Sequence, residues 1–275
     1  MKIFKQRFLK PLFFKLFFNK IKLMNKVFTN RVLKIVKRIP AGSFLTYRQV
    51  AKAAGSPKAS RAVGNILAKN FNPTILCHRV IRSDYLVGGF HGSKNLDYLK
   101  AALLLKDGAI GVIPTDTIYG ICGSALNKRT VQNIYKLRQR DLKKPLIILI
   151  NNLEAIKKFK IKLSLNQKKL ISKFWPGKYS IILSCSSPEF HYLHRGSNSL
   201  AFRVPKNKLI QKILSVSGPL VAPSANLEGK SPARNIFEAK KYFNGKVFYL
   251  NRGILNSKPS TIIDLRNGQV SILRR

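Results

Sequence analysis

From residue 109 onward, short apolar runs alternate with helical stretches, and this alternation restricts the fold more than any other feature of the chain. AIGVIP (109–114) precedes KRTVQNIYKLRQR (128–140) and PLIILI (145–150). YSIILSC (179–185), SLAFRVP (199–205), NKLIQKILSVSG (207–218) and PLVAPSA (219–225) come next. NIFEAKKYF (235–243), KVFYL (246–250), STIIDL (260–265) and VSILR (270–274) complete the series. Strand-length runs separated by helix-length segments predict an α/β domain with a twisted mixed sheet.

The part before residue 109 has a different pattern. VFTNRVLKIVKRI (27–39) places apolar residues at 28, 32, 35, 36 and 39, a helical period, and Pro40 follows. Thr46 and Gln49 have the spacing of a capping box opening TYRQVAKAAG, which stops at Gly55. Ser56 and Pro57 suit the N-cap and first turn of a second helix, SPKASRAVGNILAKN. Two short helices joined at a glycine predict a small α-rich, winged-helix-like helix-turn-helix domain. Almost no spacer separates it from the sheet-forming part, so the expected organisation is 1–26, a basic extension; 27–108, the helical domain; and 109–275, the α/β domain.

Charge separates the parts further. The chain carries 52 Lys and Arg against 10 Asp and Glu, a net +42, and no acid occurs before Asp84. Such a field favours polyanionic partners. A chain-wide bias toward Lys, Asn, Ile and Phe accounts for some of the excess, but the acid-free third is the better nucleic-acid candidate. Within 1–26, Lys10, Lys15 and Lys20 interrupt the apolar runs, which argues against a membrane span. A basic amphipathic surface helix and an extension upstream of a start at Met24 both fit this segment. Three scattered cysteines exclude a disulfide framework and a CxxC zinc site, and the expected location is a reducing cytoplasm.

The α/β part offers hydroxyls at Thr115, Thr117, Ser224 and Ser260 and cations at Arg138, Arg140, Lys144, Arg203 and Arg274. Hydroxyls, exposed amides and Arg are what polyphosphate binding requires. There is no GxxxxGK[ST] and no GxGxxG, so neither a P-loop nor a dinucleotide fold is indicated. Singly, each of these residues is better explained as a cap or a solvated charge, so the residues alone do no more than allow an anion or nucleotide site. In the helical part, Cys77-His78-Arg79-Val80 sets a thiol beside an imidazole and a guanidinium, a grouping able to yield a thiolate nucleophile, although in isolation a buried structural cysteine explains it better.

Six collinear blocks carry a family resemblance. PTDTIYG (114–120), YKLRQRDLKKPL (135–146), FWPG (174–177), LAFRVP (200–205), APSANLEGKSP (222–232) and STIIDL…ILR (260–274) resemble the YrdC-type threonylcarbamoyl-AMP synthases. The resemblance implies condensation of L-threonine, bicarbonate and ATP into threonylcarbamoyl-AMP and pyrophosphate, with ATP as substrate and Mg2+ assisting. The product then serves tRNA through its threonylcarbamoyl-transfer machinery. By motif position it implies ATP contacts at Arg138, Arg140, Lys144, Ser199, Ser224, Asn226 and Arg274, and threonine contacts at Thr115, Thr117, Arg203 and Ser260. No protein-held metal is implied. This sequence departs from the pattern where the family's K-G-R-P is Arg138-Gln139-Arg140-Asp141, where WPGPLT is WPGKYS, and where a histidine is Leu149.

IPAGSFLTYRQVA (39–51), ASRAVGNILAKNFNP (59–73), CHRVI (77–81), GGF (88–90) and KAALLLKDG (100–108) resemble the DNA-binding, active-site domain of methylated-DNA–protein-cysteine methyltransferases. There a cysteine accepts the alkyl group of a damaged guanine flipped out of duplex DNA. The resemblance implies Cys77 as acceptor, His78 as its base and Asp107 as the acid completing the relay. Tyr47, Arg61 and Asn70 become the DNA-side residues. The family's P-C-H-R is Leu76-Cys77-His78-Arg79 here, the segment before it is one residue short, and Asp107 replaces Glu. The expected protein is thus a synthase fused to an alkyltransferase-like module. The alternative is a repair or lesion-binding protein whose YrdC-like domain is a passive nucleotide or RNA binder.

Overall fold

A computed structural model describes residues 22–274, so the extension and its two readings lie almost wholly outside the described residues. The helical part contains α1 (22–37), β1 (Leu45–Thr46), α2 (Tyr47–Ala53), α3 (Ser60–Ala68), β2 (Val80–Ile81) and α4 (Asp97–Lys106). The remainder runs β3 (Gly111–Pro114), β4 (Tyr119–Ser124), α5 (Lys128–Arg138), β5 (Ile147–Leu149), α6 (Leu165–Ser172) and β6 (Tyr179–Ser184). It continues through α7 (His191–His194), β7 (Ser199–Arg203), α8 (Lys208–Ser217) and β8 (Leu220–Val221) to α9 (Ile236–Phe243), β9 (Phe248–Tyr249), β10 (Thr261–Asp264) and β11 (Ser271–Arg274).

In the helical part, Val32, Val36, Val50, Ala51, Val63 and Leu67 of α1, α2 and α3 form a buried cluster with Cys77 and Val80. The capping box is present: the Gln49 amide donates to Thr46 Oγ1 at 3.2 Å and the Thr46 amide to Gln49 Oε1 at 2.7 Å. The second helix begins three residues later than its sequence suggests, at Ser60 with Ala59 as N-cap rather than at Pro57 after Ser56. Ser56 is already committed: its amide donates to Ala51 O at 2.9 Å, closing α2 over Gly55 at φ +83. Pro57 and Lys58 then make a turn closed by the Ala59 amide on Ser56 O. The sheet of this part is a two-residue parallel pair, Leu45↔Val80 and Thr46↔Ile81, and no antiparallel wing occurs beside it among the described residues.

The other strands form one mixed sheet in the order β11-β10-β6-β7-β5-β8-β4-β3-β9. β3 runs antiparallel to β4 and parallel to β9, and β5 runs parallel to β7 and antiparallel to β8. One face carries the larger apolar cluster, with Tyr119, Ile148, Phe159, Phe202 and Phe243 at its centre. At Gly111 a Cβ would lie 2.3 Å from the Phe248 ring, so only glycine lets β9 close on β3 with that ring between them.

The two parts meet at α4. Ala101, Ala102, Leu104 and Leu105 belong to a cluster with Ile113, Ile210, Ile213, Leu214, Leu220 and Phe248 of the sheet and α8. Leu99 and Leu103, on its other side, pack against the cluster of the helical part. The helix ends at Gly108, φ +93, with the Ala109 amide donating to Leu104 O at 3.0 Å. β3 starts three residues beyond that glycine. Because Leu104 is fully buried in the joint, Leu104→Ala is expected to cost about 2–5 kcal/mol. Urea unfolding followed by far-UV ellipticity and by Trp175 fluorescence should move to lower denaturant in both signals together. Separation of the two curves would show that the parts unfold independently.

Candidate functional site

Strand ends and the loops after them build a cavity of about 320 Å3 in the α/β part. Thr115, Thr117, Arg138, Arg140, Arg203, Ser224, Ser260 and Arg274 line it together. They come from the β3–β4 turn, the end of α5, β7, the loop after β8, the residue before β10 and the edge strand β11, so the sheet order brings distant segments to one place.

The Thr115 turn is internally tied. Thr115 Oγ1 donates to Ile118 O at 2.7 Å and accepts from the Thr117 and Ile118 amides at 3.2 and 3.3 Å. Its hydroxyl stands 3.1 Å from that of Thr117. Arg203 NH1 donates to Thr117 Oγ1 at 3.3 Å while NH2 lies 3.0 Å from Asp116 Oδ1. Burial lowers the pKa of Arg203 and Asp116 opposes that shift, so the pair keeps a guanidinium in the wall of the site. Asp116, which sequence reasoning passed over inside PTDT, is therefore what makes a buried Arg203 tolerable.

Arg138 is 3 % exposed. It donates from Nε to Asn226 O at 3.1 Å, and from NH2 to Asn226 Oδ1 at 3.0 Å and Ser224 Oγ at 3.2 Å. NH1 is buried without a partner. Burial, and then the neighbouring Arg140, pull its pKa down to about 10. The planar fork at 138 thus bridges α5 to the SAN loop with three bonds from one guanidinium, a geometry that a compact lysine ammonium does not copy. Asn226 does not line the cavity; it donates to Leu227 O and Lys230 O and shapes the loop. Arg140 reaches the wall while donating to the carbonyls of Lys144 and Pro145.

Two further predicted residues, besides Asn226, lie elsewhere. Lys144 points to Glu228 at 2.8 Å, and Glu228 also accepts from the Asp141 amide at 2.6 Å. Ser199 sits at the start of β7 and donates to Ser197 Oγ at 3.3 Å rather than facing the cavity. Glu228, read in the sequence only as part of a loop, is the latch between the KKPL and SAN segments. At the far wall, Ser260 and Ser180 hydroxyls stand 2.8 Å apart, and Arg274 donates twice to Ser260 O.

A second cavity, of about 210 Å3, lies in the helical part and is lined by Tyr47, Leu67, Cys77, Phe90, His91 and Lys100 among others. Asn70 Nδ2 donates to Cys77 Sγ at 3.1 Å. His78 and Asp107 approach to 2.8 Å, and Asp107 also accepts from Arg79 Nε at 2.7 Å. Arg79 NH1 donates to Ile39 O. Burial works to raise the Asp107 carboxyl, but the bonds from His78 and Arg79 outweigh it and hold its pKa below the usual range. Among the described residues no hydrogen bond joins Cys77 to His78, and burial raises the thiol and lowers the imidazole. Arg61 is exposed near the start of α3.

Lys100 is the residue this cavity adds to the sequence reading. It is 1 % exposed, lies over the Tyr47 ring, and donates to Tyr47 OH at 3.3 Å and Gly89 O at 3.4 Å. Burial lowers its pKa to about 7, with Cys77 working in the opposite direction. The only signal in the sequence is a lysine inside the apolar stretch YLKAALLL.

The unfolded chain keeps a proton on Lys100 up to its ordinary value, near 10.5, while the folded chain releases it near 7. Between those limits the unfolded state binds more protons, so this group's contribution to stability rises with pH. The stability difference between the protein and Lys100→Met should therefore shift in favour of the protein as pH goes from 7 to 10 in urea titrations. A pH-independent difference would show that Lys100 keeps its charge when folded.

Residues 103–275 match the sequence model of the Sua5/YciO/YrdC family, described as telomere recombination. Residues 27–109 match the model described as 6-O-methylguanine DNA methyltransferase, DNA binding domain. The two matches overlap across the end of α4. The threonylcarbamoyl-AMP synthase of Cellvibrio japonicus is 30% identical over 173 residues, covering 62% of this chain and 92% of its own. A putative threonylcarbamoyl-AMP synthase of Methanocaldococcus jannaschii is 34% identical over 183 residues, covering 66% and 85%. The crystal structure of Pyrococcus abyssi Sua5 complexed with L-threonine aligns at a TM-score of 0.60 and 28% identity. It covers 65% of this chain and 53% of that one, so the alignment spans about half that structure.

Proposed function

The chain belongs to the Sua5/YciO/YrdC family through its α/β part, and from that premise we propose that it is an L-threonylcarbamoyladenylate synthase acting for tRNA modification. L-Threonine, bicarbonate and ATP are the substrates; threonylcarbamoyl-AMP and pyrophosphate are the products. The observation that carries this reading is the convergence of four arginines and four hydroxyls in one cavity without a lining carboxylate. Threonine's amine first takes up bicarbonate as a carbamate, with loss of water. A carbamate oxygen then attacks the α-phosphorus, and the bond to pyrophosphate breaks. That sequence needs positioning and charge neutralisation more than acid–base groups.

In this reading Arg203, held by Asp116, faces the threonine carboxylate beside Thr115, Thr117 and Ser260. Arg138, Arg140, Ser224 and Arg274 face the nucleotide, while Asn226 and the Lys144–Glu228 pair hold loops in place. No cluster of three potential metal ligands occurs among the described residues. A magnesium ion fits as a companion of the ATP phosphates, whose charge it would neutralise. Among the described residues no helix is long and apolar enough to cross a membrane.

For residues 27–109 the proposed role is recognition of alkylated DNA, with α3 as the helix entering the duplex and Cys77 as alkyl acceptor. The thiolate would attack the alkyl carbon as the carbon–oxygen bond to guanine breaks, and guanine leaves with a proton. Support comes from Asn70 donating to the thiol and Lys100 lining the same cavity, together with the His78–Asp107–Arg79 chain that follows Cys77 in sequence.

Threonine- and bicarbonate-dependent release of pyrophosphate from ATP is the direct test. Arg203→Ala should lower kcat/KM for threonine about 10- to 100-fold, the effect of losing a charged hydrogen bond. Arg140→Ala should act mainly on the KM for ATP. Absence of pyrophosphate, with nucleotide binding unchanged in Arg140→Ala, would overturn the synthase reading. For the module, incubation with methylguanine duplex should add one methyl mass to the Cys77 peptide. Stoichiometric lesion with an unmodified peptide would rule out transfer.

A further inference from the structure

A groove of about 520 Å3 runs along the joint between the two parts, walled by the start of α4 on one side and of α8 on the other. Lys94, Asp97, Tyr98, Lys208, Lys212 and Arg252 line it. Lys94 also lines the Cys77 cavity, so the two depressions share a wall.

The charge of the groove is lopsided. Its one carboxylate, Asp97, is taken up by Arg252, which donates to it twice at 2.7 and 2.8 Å. Among the described residues no ion pair uses Lys94, Lys208 or Lys212. Lys208 and Lys212 stand one turn apart on α8, where like charges repel and no acid of that helix relieves them. Lys212 Nζ lies 5.4 Å from the centre of the Tyr98 ring, which holds the ammonium over the groove. The walls are fixed relative to each other, because α4 and α8 share an apolar cluster. Exposed, spaced cations on rigid walls suit a polymer of phosphates rather than a small anion, which needs convergent buried donors.

We propose that this groove continues the nucleic-acid path from the Cys77 cavity, so that duplex DNA held by residues 27–109 is also gripped by the synthase domain through Lys208 and Lys212. The proposal rests on the DNA-binding reading of the first module. It makes the two domains a single DNA-contacting surface.

The experiment measures binding of a fluorescent duplex to the full chain as a function of salt. Lys208→Gln/Lys212→Gln should flatten the log–log salt dependence by about 1 to 2 in slope and weaken binding about tenfold at low salt. Lys208→Arg/Lys212→Arg should restore both, and pyrophosphate release and the Trp175 unfolding curve should be unchanged in either variant. Undiminished duplex binding with an unaltered slope would overturn the proposal and leave the module's DNA reading intact. A full chain that binds no duplex would overturn both. A slope change seen only with tRNA would overturn the assignment to DNA.

Discussion

Helix α4 packs against two separate cores, and the arrangement of both sites depends on that. One face is a wall of the sheet domain's core, through Ala101, Leu104 and Leu105. Leu99 and Leu103 complete the core of the helical module. A short helix carrying two cores cannot shift without opening one of them, and each buried leucine is worth about 1.5–3 kcal/mol. Its C-terminal turn therefore has a fixed place. Asp107 in that turn holds His78 and Arg79, and the Gly108 carbonyl accepts from Thr130 of α5 at 2.8 Å. β3 then leads directly to the Thr115 turn.

Both sites manage buried cations, but by different means. In the synthase cavity Arg203 has Asp116 for a counter-charge, and Arg138 relies on a carbonyl, an amide oxygen and a hydroxyl. Burial of Arg138 without an acid is tolerable because a delocalised guanidinium is weakly hydrated and gives up less on leaving water. In the Cys77 cavity Lys100 has no carboxylate among its hydrogen-bond partners, and the ammonium's cost appears as a lowered pKa. A compact ammonium is the harder group to desolvate.

Fold class was legible from residue 109 onward because alternation of apolar runs with helical periods is set by local burial, and the sheet repeats it. Strand order was not legible: β8 lies between β4 and β5 although 70 residues separate β5 from it in sequence, roughly, and only packing decides such neighbours. The helix start at Ser60 was misread because Ser56 has two possible employments, N-cap of α3 or closure of α2, and the nearer bond wins. Most of the expected cavity residues do share a wall. Ser199, Lys144 and Asn226 do not: a β-strand start, an exposed lysine beside Glu228 and an amide turned onto its own loop each found local partners that motif spacing cannot reveal. Lys100 escaped notice because a lysine in a helix reads as solvent-facing until the second core is known.

The shared helix also changes what the chain is as an inherited unit. Where a flexible linker joins two modules, either can be lost, duplicated or traded without disturbing the other. Here a break after Gly108 would leave one fragment with Leu104 and Leu105 uncovered and the other with a hole beneath Phe248. Neither half is a clean product of such a cut, so selection on either part also guards the other's scaffold.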